Sequence, residues 1–325
     1  MKDAITDVPG ILVGHAQDLV AAKGCTVILC ESGTAAGVDV RGGSPGTRET
    51  DCLSPTASIP CPDAFYLSGG SAFGLDGASG VQKYLEAKGI GFDAGVARVP
   101  IVSGAVIFDL NVGRADIRPD QAMGMEACRN AGGEVAQGNV GAGTGATAGW
   151  AAGPERRMKS GLGTASCRAG DLIVGAIVAV NCWGDVIDPA TGEVLAGTLT
   201  ESGDAFAGSQ KLLTASTLGA RIFSSHSTIG VVASNARLDK AQTSRIAMMA
   251  HDGFARAIIP VHTFAEGDII FSVVTGGVEA GVSVVGALAA EAMAQAILNA
   301  VRNARSAYGY PGYEEVLRRR KKSSR

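Results

Sequence analysis

The stretch "FSSHSTIGVVASNAR" (223–237) places serine and threonine hydroxyls directly ahead of an apolar run. A polar cluster leading a buried strand is either a turn or the place where a nucleophile is kept. A serine hydroxyl attacks a carbonyl only with a base beside it. If the chain is cut just before a Ser or Thr, the new α-amine, with a pKa of about 7.7–8.0, becomes that base and no histidine is needed. Other chemistries lack a handle. The four histidines, His15, His226, His251 and His262, show no metal-ligand spacing. "GAGTGATAG" (141–149) holds a GxGxxG variant, but "GGEVAQGNV" before it is a poor strand and Pro154 follows closely. Its glycines read as tight packing and backbone donors.

The elements around these residues follow from the apolar pattern. "GCTVILCESG" and "DAFYLSGGSAFG" each read as a short strand ending in a glycine turn. "LDGASGVQKYLEAKG" follows with helical spacing of Leu75, Ala78, Gln82 and Leu85 and a stop at Gly89. "DLIVGAIVAVNCWGDVIDPATGEVLAG" reads as a buried strand, a turn at Pro189–Gly192 and a return strand. Residues 198–221 read as a linker. "STIGVVASNA" reads as a strand, "RLDKAQTSRIAMMAHDGFARAI" as a helix with Leu238, Ile246, Met249, Ala250 and Phe254 on one face, and "DIIFSVVTG" as another strand. A long Ala-rich helix over Val284–Ala304 completes a mixed α/β order without an internal repeat.

Composition sets the class. The 325 residues are 46% hydrophobic and 18% charged, with 46 glycines, as expected of a compact Gly/Ala/Val-rich chain with close backbone contacts. A net charge of −3 gives no basic field for nucleic acid, and "LRRRKKSSR" reads as a solvated basic tail over 314–325. No secretory signal and no membrane span is expected. Seven cysteines, an odd number without CxxC spacing, predict buried free thiols such as Cys25 and Cys30 and a reducing cytoplasm.

Several motifs occur together and in order: "ITDVPGILVGH", "GGSPGTRETD", "LSGGSAFGLDGASG", "GNVGAGTGAT", "MKSGLGTAS", "VAVNCWGDVIDPATG" and "STIGVVASNA". From about residue 4 to 304 the chain resembles the P1 peptidase family, the group of L-aminopeptidase/D-esterases, β-aminopeptidases and the nylon-oligomer hydrolase. The resemblance implies a four-layer αββα sandwich like that of the N-terminal nucleophile hydrolases. It also implies a single domain made as one chain that cuts itself into 1–226 and 227–325. The family's frame falls on "TIGVVASNA". It makes Ser227 the nucleophile and His226–Ser227 the scissile bond, with Ser224, Ser225 and Thr228 fitting less well. "FAEGDIIF" supplies Glu266 and Asp268 to orient the Ser227 hydroxyl and amine, "VAVN" supplies Asn181 for the oxyanion, and "MKSGLG" supplies Lys159 near the site.

Three positions depart from the family pattern. His226–Ser227 stands where many relatives cut after Asn or Gly and before Thr. Phe108 lies where some carry a Tyr beside the oxyanion, at the substrate pocket. Glu266 stands where closer relatives carry Asp. The resemblance implies a hydrolase of amide or ester bonds in small peptides or amino-acid derivatives, acting through an acyl-enzyme as a homotetramer or larger ring. No cofactor, metal, nucleic acid or membrane partner is expected. The alternatives are an acyltransferase of the ornithine acetyltransferase type and an uncleaved small-molecule-binding protein.

Overall fold

The computed structural model describes residues 1–215 and 226–323. The first half of the chain runs β1 (Ile11–Asp18), β2 (Lys23–Cys30), β3 (Ala35–Val40), β4 (Thr47–Arg48), β5 (Ala64–Ser68), α1 (Gly77–Ala87), a small hairpin of β6 (Phe92–Asp93) and β7 (Arg98–Val99), β8 (Val102–Val106) and α2 (Gln121–Arg129). The second half runs β9 (Thr147–Ala148), β10 (Met158–Lys159), β11 (Leu162–Ala169), β12 (Leu172–Asn181), β13 (Asp185–Ile187), β14 (Val194–Ala196) and α3 (Ser209–Thr214). After these come β15 (Ser227–Ala236), α4 (Lys240–Ala257), β16 (Ile258–Ile259), β17 (Ile269–Val278), α5 (Val282–Arg302) and α6 (Tyr313–Ser323).

Two five-stranded sheets form the centre, in the orders β1-β2-β5-β8-β4 and β11-β12-β15-β17-β3. Each carries one parallel pair, β5 with β8 and β15 with β17. Three buried clusters define the layers. Val27, Tyr66, Val81 and Leu85 join the first sheet to α1 and α2. Ile28, Phe65, Ile177, Ile229 and Phe271 fill the space between the sheets. Val178, Val232, Phe254, Met293 and Ile297 join the second sheet to α4 and α5. The architecture is the αββα sandwich expected from the motifs. A strand covered on both faces reads as a continuous apolar run, and β12 shows why. Its alternate residues split between two cores, Val174, Ala176, Val178 and Val180 toward the helices and Ile177 and Ala179 toward the other sheet.

The glycine and alanine content is spent on close approach. A Cβ on Gly163 of β11 would lie 2.0 Å from the Ala296 carbonyl of α5, and one on Gly253 of α4 would lie 2.5 Å from that of Ala290. Only residues without side chains let these backbones meet. α5 has the length and composition of a membrane-crossing helix, yet 67% of its apolar window is buried within the fold. α4 starts in a reciprocal cap, Asp239 accepting from the Gln242 N–H while the Gln242 side chain accepts from the Asp239 N–H.

One expectation gains detail and one needs correction. Much of the basic tail is helix α6, where Glu314 and Glu315 open the first turn, Arg320, Lys321 and Lys322 close the last, and Glu315 pairs with Arg319 one turn on. Those signs complement the helix dipole at both ends. The linker region is anchored as well. The buried carboxylate of Asp185 accepts from the Thr198 N–H at 2.9 Å and from the Ser209 N–H and hydroxyl at 2.7 and 2.5 Å. Residues 216–221 of that region, with Ser224 and Ser225, lie outside the described residues.

Candidate active site

Ser227 is the first residue of β15 and lies between two neighbouring segments. On one side it pairs with Asn181, the last residue of β12. On the other runs the turn 265–267 that leads into β17. The His226 N–H donates to the Ala265 carbonyl at 3.0 Å, and the Gly267 N–H donates to the His226 carbonyl at 2.7 Å. The His226–Ser227 peptide is therefore gripped from behind, with one short hydrogen bond on its carbonyl oxygen. A donor so placed stabilises the charge that grows there when a nucleophile adds. The Ser227 hydroxyl makes no hydrogen bond among the described residues and sits beside Gly267, where a Cβ would lie 2.8 Å from its Oγ. Ser227 is buried.

The two acids brace this arrangement through backbone amides. Asp268 Oδ1 accepts from the Thr228 N–H at 2.8 Å, and its Oδ2 meets the His262 Nδ1 at 2.8 Å and the His262 N–H at 3.1 Å. Glu266 accepts from the Trp183 and Thr263 N–H groups, both at 3.0 Å. Neither carboxylate hydrogen-bonds the Ser227 hydroxyl, so they act on the strand end and the turn that hold it. Burial, and next the neighbouring Asp268 charge, push the Glu266 carboxyl up to about 8.

That shift sets a pH dependence. A carboxyl held protonated by the fold adds stability at low pH, and the gain is lost as pH rises through the folded-state value. The melting temperature of a Ser227→Ala chain should fall as pH rises from about 5 to about 8 and level off above that. Glu266→Gln should lower it at pH 6, where one of two acceptors is lost, yet remove the slope. Parallel pH profiles for the two chains would exclude Glu266 as its source.

Asn181 is buried and used at both ends. Its Oδ1 accepts from the Thr147 N–H at 3.1 Å, and its Nδ2 donates to the Phe108 carbonyl at 3.0 Å. An amide nitrogen has two hydrogens, which leaves one for an oxyanion. Phe108 thus reaches the site through its backbone. Lys159 is buried and donates to the carbonyls of Gly143 and Ala146 at 3.1 and 2.8 Å and to that of Ser160. Burial brings its ammonium down to about 7, a fall that Asp109 opposes. None of its hydrogen bonds reaches Ser227. It is linked to Asn181 through Thr147, its partner in the β9–β10 pair. The glycine-rich 141–149 segment therefore supplies carbonyls to a lysine.

The profile of peptidase family S58 matches residues 3–314. The chain belongs to peptidase family S58. An uncharacterized aminopeptidase of Mycobacterium bovis is 44% identical over 97% of this chain and 98% of its own. The 6-aminohexanoate-oligomer endohydrolase of a Kocuria species is 30% identical over 91% and 85%. Among solved structures, the L-aminopeptidase D-Ala-esterase/amidase from Ochrobactrum anthropi, a variant of the Ntn hydrolase fold, superposes over 100% of this chain and 95% of its own. Its TM-score is 0.70 at 17% identity, a likeness of fold alone.

In this S58 chain the structure brings Ser227, Asn181, Glu266 and Asp268 around one strand end and joins Lys159 to them through Thr147. Two residues beside them escaped the sequence reading. Gly267 acts through a backbone N–H, which leaves no side-chain signature. His262, at φ +57°, holds Asp268 from within the same turn. The left-handed region is several-fold more accessible to His than to most residues. Among the described residues there is no cluster fit to hold a metal ion.

Proposed function

We propose that this S58 hydrolase of peptide or amide bonds is a self-processing enzyme with Ser227 as its N-terminal nucleophile. The observation that carries the reading is the His226 carbonyl, hydrogen-bonded by Gly267 directly beside the uncommitted Ser227 hydroxyl. In self-cleavage Ser227 Oγ adds to the His226 carbonyl carbon, and the Ser227 nitrogen leaves with a proton to give an ester. Water then cleaves that ester, releasing a carboxylate at 226 and restoring the Ser227 hydroxyl beside the amine already freed. Asp268 is assigned the proton-accepting role at this stage, and Glu266 keeps its proton up to about pH 8.

On a substrate the Ser227 amine takes the hydroxyl proton as Oγ adds to the amide or ester carbonyl. The proton passes to the leaving group, and water resolves the acyl-enzyme. The aminopeptidase and amide-hydrolase names of the relatives fit such a cycle. Asn181→Ala should cost about 10²–10³ in kcat with little change in KM, as loss of one oxyanion donor does. A severalfold loss would confine the amide to bracing Thr147 and Phe108.

Intact mass and N-terminal sequencing test the reading. Fragments of 226 and 99 residues should co-purify, roughly 23 and 10 kDa of the 32.8 kDa chain, the shorter beginning at Ser227. Active enzyme that remains one chain would overturn it. Assembly as a homotetramer or larger ring and a cytoplasmic location belong to the same proposal, supported by the sequence resemblance and by the seven unpaired cysteines.

A further inference from the structure

The residue ahead of the cut is as carefully housed as the cut itself. The His226 ring packs on the Trp150 indole, centroids 4.3 Å apart at 46°. The buried Arg157 guanidinium lies over both the indole, 3.9 Å from that ring, and the Tyr310 ring at 4.5 Å. Arg157 is fixed by the Pro154 carbonyl at 3.0 Å, the Thr147 hydroxyl at 3.2 Å and the Tyr310 hydroxyl. The indole Nε1 is buried without a partner among the described residues. Trp150 and Arg157 lie in the piece that a cut at 226 would end with His226, and Tyr310 lies in the other, so both pieces build the seat. Burial, and then the Arg157 charge, bring the imidazole down to about 3, so the seat holds it neutral.

Resting on the self-processing reading, we infer that the Trp150–Arg157–Tyr310 stack is the acyl pocket of the mature enzyme and selects amides or esters of uncharged aromatic residues. The chemistry equates the two occupants. In self-cleavage the acyl group passed to Ser227 Oγ is that of residue 226, and in turnover it is that of the substrate. The same hydroxyl attacks both, so the side chain of a substrate's acyl residue takes the place that His226 leaves. An indole beside a cation accepts a planar ring in a tilted contact of the kind His226 makes. It repels an ammonium or guanidinium brought into the same buried space. The orphan indole N–H offers a donor to an acceptor on the incoming ring, as on tyrosine or neutral histidine.

The test uses processed enzyme with 4-nitroanilides of Phe, Ala and Lys, each in the α- and β-amino-acid series so that backbone preference is read separately. In the accepted series kcat/KM for Phe should exceed that for Ala by about tenfold or more, and Lys should fall about tenfold below Ala. Trp150→Ala should shrink the Phe/Ala ratio to less than about threefold. A second measurement needs no substrate. In the full chain His226→Phe should cut itself within about threefold of the parent rate, and His226→Lys at least about tenfold more slowly. A flat panel, a preference for Lys, or no hydrolysis at all from enzyme whose short fragment begins at Ser227 would overturn the pocket assignment alone. A parent chain that never cuts would overturn the reading beneath it, and the pocket with it.

Discussion

Ser227→Ala should leave one chain of 325 residues and no amide hydrolysis above background, a loss of about 10⁴-fold or more. On the proposed mechanism two processes fail together because one oxygen serves both. Its removal takes away the atom that adds to the His226 carbonyl, and without that addition no amine is released to serve as base. The fold should be nearly indifferent, because the hydroxyl makes no hydrogen bond among the described residues and only one oxygen is lost from a buried strand end. Ser227→Cys should still cut, since a thiol is intrinsically more nucleophilic. Denaturing gels and mass spectrometry of the two variants read the outcome. Two fragments and full activity from the alanine variant would remove Ser227 from the chemistry and leave the family relation one of fold.

Gly267→Ala should be the second most damaging change, although it replaces no side chain of the proposed chemistry. The new methyl would lie 2.5 Å from the Ser44 carbonyl oxygen, 2.8 Å from the Pro45 Cα and 2.8 Å from Ser227 Oγ. Two of those atoms belong to a backbone pinned by the hydrogen bond from the Ser44 N–H to the Glu266 carbonyl at 2.8 Å. The turn must therefore move, and its N–H moves off the His226 carbonyl. Self-cleavage should slow by about 10²-fold or more, as for a lost oxyanion donor, with about 1–3 kcal/mol of stability lost to overpacking. The time course of precursor loss in freshly purified protein measures the first and a denaturant melt the second. Processing at the parental rate would show that another group polarises the carbonyl.

Legibility followed physical range. The strand "DLIVGAIVAVN" announced its burial because both faces are covered, and the helix after Gly74 announced itself through its spacing and its glycine stop. Ser227 was legible as a hydroxyl at the mouth of such a strand, and the family motifs chose it among its neighbours. Gly267 was silent, since the aim of a backbone amide depends on the pairing of two distant segments. His262 was passed over for want of ligand spacing, because its partner Asp268 is met inside one turn rather than along a helix. Arg157 and Tyr310 meet across 153 residues, a span over which no local pattern carries information. Lys159 was placed near the site by its motif, but burial turned its ammonium to three carbonyls instead of the nucleophile.

The order of the second sheet carries a consequence of its own. β15 and β17 would belong to the short piece, yet they lie side by side between β12 and β3 of the long one. Every edge the short piece presents within that sheet is already occupied by the other polypeptide, and dilution alone offers it no cheap way out. The intact chain folds as a unimolecular event, independent of how much protein is present. Once cut and then unfolded, the same atoms must find one another by collision, so recovery becomes second order and fades as concentration falls. Thermal damage to the mature form should therefore be far harder to reverse than thermal damage to its parent, and the working lifetime of the enzyme is governed by its unfolding rate.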